Sequence, residues 1–136
     1  MIDDTKFQKL LQHLEAQYKN YLTIPQKNYL FEIDKEAITE SVIQRFETCY
    51  DALWKVLKRY LNEELGIPEL PNSPKPIFRI AAENNVLPTD AATWIRYADA
   101  RIATSHDYSG DKAQETIALI SDFIADANRL YLLMTN

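Results

Sequence analysis

Glycine is scarce in this sequence, which has two, Gly66 and Gly110, among 136 residues. Soluble proteins average about 7% glycine. Because glycine supplies the positive φ angles of hairpin turns and bulges, a chain with so little of it has few positions at which strands could reverse. The wide separation of the two glycines also excludes a phosphate-cradling loop of the P-loop or Rossmann type. These absences favour helices.

Cysteine pairs and metal-binding motifs are lacking too. The single cysteine, Cys49, cannot form an internal disulfide, and its apolar helical register indicates a buried side chain in a reducing compartment. The sequence contains no His-Glu-x-x-His, no paired Glu-x-x-His and no cysteine pair for zinc, so we expect neither a metal nor a cofactor. Glu47 and Asp51, spaced i, i+4, are either a cation site or, as is commoner, a solvated or arginine-paired helix face.

Long apolar runs and a broad positive charge are absent as well. No apolar run approaches the ~18 residues of a membrane span, and the acidic first residues lack a signal-peptide core, so we expect a cytoplasmic protein without membrane contact. The formal net charge of −5 argues against nonspecific nucleic-acid binding. Contact with a nucleic acid would need a local basic patch. Four cations of one predicted helix form such a patch or belong to a mixed-charge face, namely Arg45, Lys55, Lys58 and Arg59.

Apolar residues recur at helical spacing along most of the chain, whose length is that of one domain over residues 1–136. Asp34 and Pro74 mark the starts of two helices. The predicted helices cover residues 4–22, 35–64, 74–85, 90–104 and 111–134. Residues 23–34 are predicted to be a loop, in which Tyr29–Phe31 packs against the rest of the protein. The predicted fold is all-α, an antiparallel up-and-down four-helix bundle with one additional short helix.

The stretch from Trp94 to Tyr108 contains the one cluster that suggests chemistry. It begins as a helix, and because residues 105–110 have turn composition, that helix is expected to end near Thr104. His106 then folds back over Arg101, whereas in a continued helix the two would lie about 140° apart around the axis. The spacing predicts a core face of Ala91, Ile95, Ala98 and Ile102. The neighbouring face carries Trp94, Tyr97, Arg101 and Thr104.

Two readings of Arg101 remain open from the residues alone. In the first, Arg101 pairs with Asp99 or with a carboxylate of the long helix, and His106 and Tyr108 are ordinary loop residues. In the second, Arg101 binds a phosphate, His106 transfers a proton near neutral pH, and Tyr108 supplies a hydroxyl or a stacking ring. The second reading suits metal-free RNA cleavage, in which a 2′-hydroxyl attacks the adjacent phosphodiester.

Arg101-x4-His106-x-Tyr108 resembles the R-x4-H-x-Y signature of the HEPN superfamily. Four segments of the chain resemble, in the same order along the sequence, segments of the nucleotidyltransferase substrate-binding proteins. These proteins are HEPN partners of small nucleotidyltransferases. The matching segments are Val42–Glu47, Trp54–Leu61, Ser73-Pro74-Lys75 and Trp94–Tyr108. The R-x4-H spacing alone is a weak signal, but the ordered set over residues 42–108 is specific.

The resemblance implies a homodimer in which the Arg-His sites of two subunits face one cleft, and a cognate minimal nucleotidyltransferase as partner. In characterised pairs the HEPN protein is a ribonuclease toxin. The nucleotidyltransferase is the antitoxin and can silence it by adding adenylate to the motif tyrosine, here Tyr108. Arg101 would then hold the scissile phosphate, with His106 as general acid or base. Other members are described only as substrate-binding subunits, so a non-catalytic subunit that presents a nucleotide or substrate to the nucleotidyltransferase is the alternative.

Further candidate substrate-binding residues lie in the matching segments, namely Arg45, Trp94, Tyr97 and Ser105. One position departs from the family pattern. Many members carry Asn directly after the motif arginine, where this chain has Ile102. The predicted register puts Ile102 on the core face, so the departure bears on ribonuclease activity more than on folding.

Overall fold

A computed structural model describes residues 4–105 and 110–135 of the chain. These residues form five α-helices and one 3₁₀ turn, without a strand among them. The helices are α1 (Thr5–Leu22), α2 (Glu32–Glu63), α3 (Pro74–Glu83), α4 (Ala91–Ala103) and α5 (Gly110–Thr135), and the turn is Ile24–Gln26. The predicted all-α class is confirmed. None of the helices in this part of the chain is long and apolar enough to cross a membrane.

The long helices alternate in direction. Asp4, just before α1, pairs with Arg59 near the end of α2, and its N–H donates to the Tyr131 hydroxyl near the end of α5. The other end of α1 packs near the starts of α2 and α5, where Tyr21 contacts a small cluster of Ile43, Ala113 and Ile117. α1 therefore runs antiparallel to both α2 and α5.

Helix α4 runs antiparallel to α2 and α5. Tyr97, in its middle, bonds to Asp126 in the second half of α5, and Ala103, at its end, shares a groove with Lys112 in the first turn of α5. The short α3 packs against both α2 and α4. The order up, down, up, down of α1, α2, α4 and α5 is that of the predicted bundle, with α3 as the additional helix.

Aromatic rings join the helices in the core. Phe78 of α3 stacks on Trp94 of α4 with ring centroids 5.1 Å apart, and Trp94 meets the edge of Tyr97 at 5.4 Å. Phe123 of α5 packs edge-on against Tyr97 at 5.2 Å and against Phe46 of α2 at 5.0 Å. Each buried aromatic side chain contributes about 1.5–3 kcal/mol through removal of apolar surface from water. This cluster fixes α4 against the rest of the bundle.

The start of α2 lies earlier than predicted. The helix begins at Glu32, not at residue 35, because the Asp34 carboxylate accepts a hydrogen bond from the Phe31 N–H at 2.9 Å and so acts from within the first turn. The expectation that Tyr29 and Phe31 pack down is wrong, since both are about three-quarters exposed, at 73% and 76%.

The core face of α4 also differs from the prediction. Trp94, Tyr97 and Thr104 are fully buried, whereas Ile102 is 62% exposed. Burial of a Trp and a Tyr removes about 150–250 Å² each from water, far more than the alanines of the predicted face can. The helix is therefore rotated so that its aromatic residues enter the core. Ile102 is a surface residue, and its predicted core position is wrong.

Candidate functional site

Arg101 lies in the last turn of α4, a helix with a defined start and end. At the start, the Asp90 carboxylate accepts hydrogen bonds from the Thr93 hydroxyl at 2.7 Å and the Thr93 N–H at 3.0 Å. These bonds, the hydroxyl first, lower the pKa of Asp90. At the end, the helix stops at Ala103, close to the predicted residue 104. Arg101 is thus held on a short, rigid element and close to its end.

Two carboxylates of α2 hold the Arg101 guanidinium. Its Nε and Nη2 donate to the two oxygens of Asp51 at 3.1 and 3.0 Å, and its Nη1 donates to Glu47 Oε2 at 3.0 Å. Such two-point pairing between a guanidinium and a carboxylate fixes the plane of the group as well as its position. Arg101 therefore has one defined orientation in the described structure.

Glu47 is the buried one of the two carboxylates that bind Arg101. The residue is 6% exposed, and the same oxygen that binds Arg101 also accepts a hydrogen bond from the buried Thr104 hydroxyl at 2.9 Å. A buried carboxylate needs compensating partners, and Arg101 of α4 and the residue that caps the end of α4, Thr104, are two of them among the described residues. Glu47, Asp51, Arg101 and Thr104 form what we term the Arg101 cluster, which ties the end of α4 to the middle of α2.

A cleft opens beside the Arg101 cluster, between α2, the start of α3 and the end of α4. Its volume is about 510 Å³, within the range of small-molecule sites. Eleven residues line it, namely Tyr50, Asp51, Trp54, Lys55, Ser73, Pro74, Lys75, Ala98, Arg101, Ile102 and Ser105. The lining includes three cations, of which Arg101 pairs with the carboxylate Asp51, together with two serines and two aromatic rings, a set that offers hydrogen-bond donors and ring surface in one cleft.

Tyr50, which lines the cleft, has a buried hydroxyl. The residue is 1% exposed, and its hydroxyl makes no hydrogen bond with any of the described residues. Burial raises the pKa of Tyr50, the negative charges of Asp51 and Asp99 raise it further, and the positive charge of Arg101 opposes them. The hydroxyl thus stays protonated near neutral pH. Since buried hydroxyl groups are ordinarily hydrogen-bonded, this one needs an explanation.

The sequence-predicted site residues have different locations. Arg101 and Ser105 both line the cleft. His106 and Tyr108 lie outside the described residues. Arg45 is on another side of α2, where it donates to Ser41 and lines a groove with His13 of α1.

Trp94 and Tyr97 are in the core and not at the cleft. Both are fully buried, and neither lines the cleft. The Tyr97 hydroxyl instead donates to the buried Asp126 carboxylate at 2.5 Å, and burial, followed by this bond, raises the pKa of Tyr97. We therefore do not retain these two residues in the substrate-binding set. The signal that identifies them as core residues is their size, because each buries more apolar surface than the small residues of the predicted face can.

The expected carboxylate partner of Arg101 is the pair on the long helix and not Asp99. Asp99 instead forms an ion pair with Lys75, with 2.6 Å between Nζ and Oδ1. The four cations of the possible basic patch are dispersed as well. Lys55 lines the cleft, Lys58 donates to Asn72, and Arg59 pairs with Asp4.

Sequence reasoning omitted Tyr50 and Lys75 from the site. The position of Lys75 in the resembling segment Ser73-Pro74-Lys75 was a signal for it. Tyr50 gave no signal, because its helical register is that of a core residue. Among the described residues no group of three or more His, Cys, Asp or Glu side chains is arranged to hold a metal ion.

Comparison with known proteins agrees with the resemblance seen in the sequence. The family model described as nucleotidyltransferase substrate binding protein like matches residues 3–136. The chain belongs to this family.

Relatives of this member of the nucleotidyltransferase substrate-binding family include a protein of Haemophilus influenzae named probable ribonuclease HepT. It is 30% identical over 100 residues, which are 72% of this chain and 68% of the relative. A Haemophilus influenzae structure described as the fold of a substrate binding domain of a nucleotidyltransferase has a TM-score of 0.70 and 26% identity, covering 93% of this chain and 99% of the other. A crystal structure of a Thermus thermophilus protein has a TM-score of 0.78 and 24% identity, covering 96% and 99%, and supports the fold alone.

Proposed function

We propose that this chain is the HEPN subunit of a two-component system with a minimal nucleotidyltransferase, and that it cleaves RNA as a toxin without a metal ion. Family membership supports the nucleotidyltransferase partner, and the relative named probable ribonuclease supports the reaction. The observation that carries the proposal is the fixed guanidinium of Arg101 at the cleft. The proposed RNA substrate accords with the cytoplasmic location expected from the sequence.

In the proposed reaction the RNA supplies its own nucleophile. A 2′-hydroxyl loses its proton to a general base and attacks the adjacent phosphorus, so that a 2′-O–P bond forms and the P–O5′ bond breaks. A general acid protonates the departing 5′-oxygen. The products are a 2′,3′-cyclic phosphate and a 5′-hydroxyl. Arg101 stabilises the charge that develops on the phosphoryl oxygens, and its rigid attachment to Asp51 keeps it oriented throughout.

A homodimer would supply both proton-transfer groups. His106 is the one histidine of the proposed site in each chain, and the sequence has one other, His13. Two sites facing one cleft bring two copies of His106 together, so one accepts the proton and the other donates one. A monomer at micromolar concentration, measured by light scattering, would contradict this arrangement.

Regulation is proposed to act at Tyr108, two residues beyond His106. The nucleotidyltransferase would act as antitoxin and transfer adenylate from ATP to the Tyr108 hydroxyl, forming a phosphodiester to the ring oxygen and releasing pyrophosphate. The added phosphate is negative and would repel the phosphates of RNA. Mass spectrometry after incubation with the neighbouring nucleotidyltransferase and ATP tests this step. Adenylate on a residue other than Tyr108 would contradict it.

A second candidate is a non-catalytic subunit that binds a nucleotide or substrate for the nucleotidyltransferase. The solvent-exposed Ile102 at the cleft favours it, because the amide that many members have there is missing. The two functions differ in their need for His106. Cleavage requires a proton-transfer group at residue 106, whereas binding tolerates Gln.

Growth on induced expression, without the partner gene, is the first experiment. We expect arrest with the wild type and none with Arg101→Ala or His106→Ala, each checked for folding by circular dichroism. RNA from arrested cells should carry cyclic phosphate ends, and the purified protein should cleave RNA in EDTA. Growth of all strains would favour the binding subunit, for which His106→Gln should retain ligand affinity while Arg101→Ala loses it.

A further inference from the structure

Two sequence segments beyond the Arg-His motif meet at the cleft. Trp54 and Lys55 lie on α2, and the segment Ser73-Pro74-Lys75 leads into α3. The fold places both against the end of α4, beside Arg101. The reaction proposed above assigns them no role.

The two lysines lie at the cleft as cations with weak protein partners or none. Lys55 is exposed, has no carboxylate partner among the described residues, and holds its Nζ 5.8 Å from the centre of the Trp54 ring. Lys75 pairs with Asp99, whose side chain is 60% exposed. Ion pairs this exposed contribute little, so a phosphate can replace Asp99 at Lys75.

The start of α3 adds a further positive end to the cleft. Ser73 occupies the N-cap position, but its side chain makes no capping hydrogen bond. Pro74 is the first residue of the ten-residue helix and, like Pro76, has no N–H. The two prolines remove two of the N–H groups with which a helix start binds an anion, which leaves the Lys75 N–H and the Ser73 hydroxyl as donors at the cleft, beside the positive end of the helix dipole.

The Tyr50 hydroxyl is a second, independent indication of a ligand. It is buried, belongs to a residue that lines this cleft, and makes no hydrogen bond to residues 4–105 or 110–135. Leaving a buried hydroxyl unpaired is unfavourable, and a bound polar group can offset that cost. Tyr50 lines the same cleft as Arg101 and the two lysines.

We infer that Lys55, Lys75 and the start of α3 form a second phosphate subsite for single-stranded RNA, next to the phosphate held by Arg101. The nucleoside between the two phosphates lies over Trp54 and Ile102, with a polar group directed to the Tyr50 hydroxyl. The cleft volume of about 510 Å³ suits one nucleotide-sized group. This inference rests on the proposed function, because it extends the RNA site at Arg101.

Binding of a fluorescent, 2′-O-methylated hexaribonucleotide tests the subsite, since methylation prevents cleavage. We expect Lys55→Gln and Lys75→Gln each to weaken binding by about 3- to 10-fold. The slope of the logarithm of the binding constant against the logarithm of the salt concentration should become less steep by about 0.7 for each lost phosphate contact. Tyr50→Phe should weaken binding while the protein stays folded. The matched control is Lys9→Gln, an exposed lysine of α1 outside the cleft, which should change the affinity less than about 2-fold.

The outcomes separate the subsite from the site at Arg101. The binding affinity for a mononucleotide, which has one phosphate, should fall in Arg101→Ala and should not change in Lys55→Gln or Lys75→Gln. If Arg101→Ala abolishes hexanucleotide binding while both lysine variants match Lys9→Gln, the subsite is wrong and the proposed RNA site stands. If the wild type does not bind the hexanucleotide at all, the RNA function fails and the subsite with it.

Discussion

Arg101 and Asp51 face each other through two parallel hydrogen bonds, 3.1 and 3.0 Å long, although 50 residues separate them in the sequence. The pair joins α4 to α2 and fixes the plane of the guanidinium at the cleft. Glu47 binds the same group from the buried side. The two carboxylates thus differ in exposure and should differ in their contribution to stability.

Glu47→Gln should destabilise the protein more than Asp51→Asn. The Glu47 side chain is 8% exposed and binds both Arg101 and Thr104, so loss of its charge should cost about 2–3 kcal/mol. The Asp51 side chain is 41% exposed, so Asp51→Asn should cost less than about 1 kcal/mol. Urea denaturation measures both free energies of unfolding. Equal losses would mean that burial does not distinguish the two carboxylates.

Ile102→Asn should leave stability unchanged. Ile102 is 62% exposed, and Ile and Asn have similar helix propensities, so the free energy of unfolding should change by less than about 0.5 kcal/mol. The control is Ile77→Asn at a fully buried position, where the loss should exceed about 3 kcal/mol. A large loss at Ile102 would put that side chain in an interface. Under the proposed function, restoring the amide should also increase RNA cleavage.

Tyr97→Phe should destabilise the fold through Asp126. The lost hydroxyl donates to a carboxylate that is 5% exposed, and hydrogen bonds to charged groups are worth about 1.5–3 kcal/mol. Tyr18→Phe is the matched control, because Tyr18 is partly buried and makes no hydrogen bond with a described residue. Thermal unfolding should give a lower midpoint for Tyr97→Phe alone. The double variant with Asp126→Asn should lose less than the sum of the single losses.

Cys49 should be unreactive in the folded protein. Burial raises the pKa of its thiol from 9.0 to about 12, so little thiolate exists at neutral pH. Ellman's reagent should modify Cys49 slowly in buffer and rapidly in urea. Fast modification of the folded protein would contradict its burial.

The raised pKa of Cys49 also makes the free energy of unfolding depend on pH in the alkaline range. The folded state retains the thiol proton between pH 9 and 12, while the unfolded state releases it, so this contribution is complete below pH 9 and falls as the pH rises. The slope approaches about 1.4 kcal/mol per pH unit. Because lysines and tyrosines titrate in this range too, the quantity to measure is the difference between wild type and Cys49→Ala. Parallel stability curves would contradict the shift.

Features that depend on neighbours in the sequence could be predicted from it. The scarcity of glycine, the helical spacing of apolar residues and Pro74 gave the all-α class and the helices within a few residues. The end of α4 near residue 104 followed from the turn-forming residues beyond it. Backbone propensity, proline and glycine act locally, so a linear reading captures them.

Tertiary packing decided the face of α4 and the partner of Arg101. Trp94 and Tyr97 enter the core because α3 and α5 supply aromatic rings that contact them there, and Ile102 is left at the surface as a result. Asp51 and Asp99 were both possible partners for Arg101, and only the approach of α2 selects Asp51 and leaves Asp99 to Lys75. The cleft likewise exists only where α2, α3 and α4 meet. Such choices depend on residues distant in the sequence, whose relative positions are set by burial of apolar surface across the whole bundle.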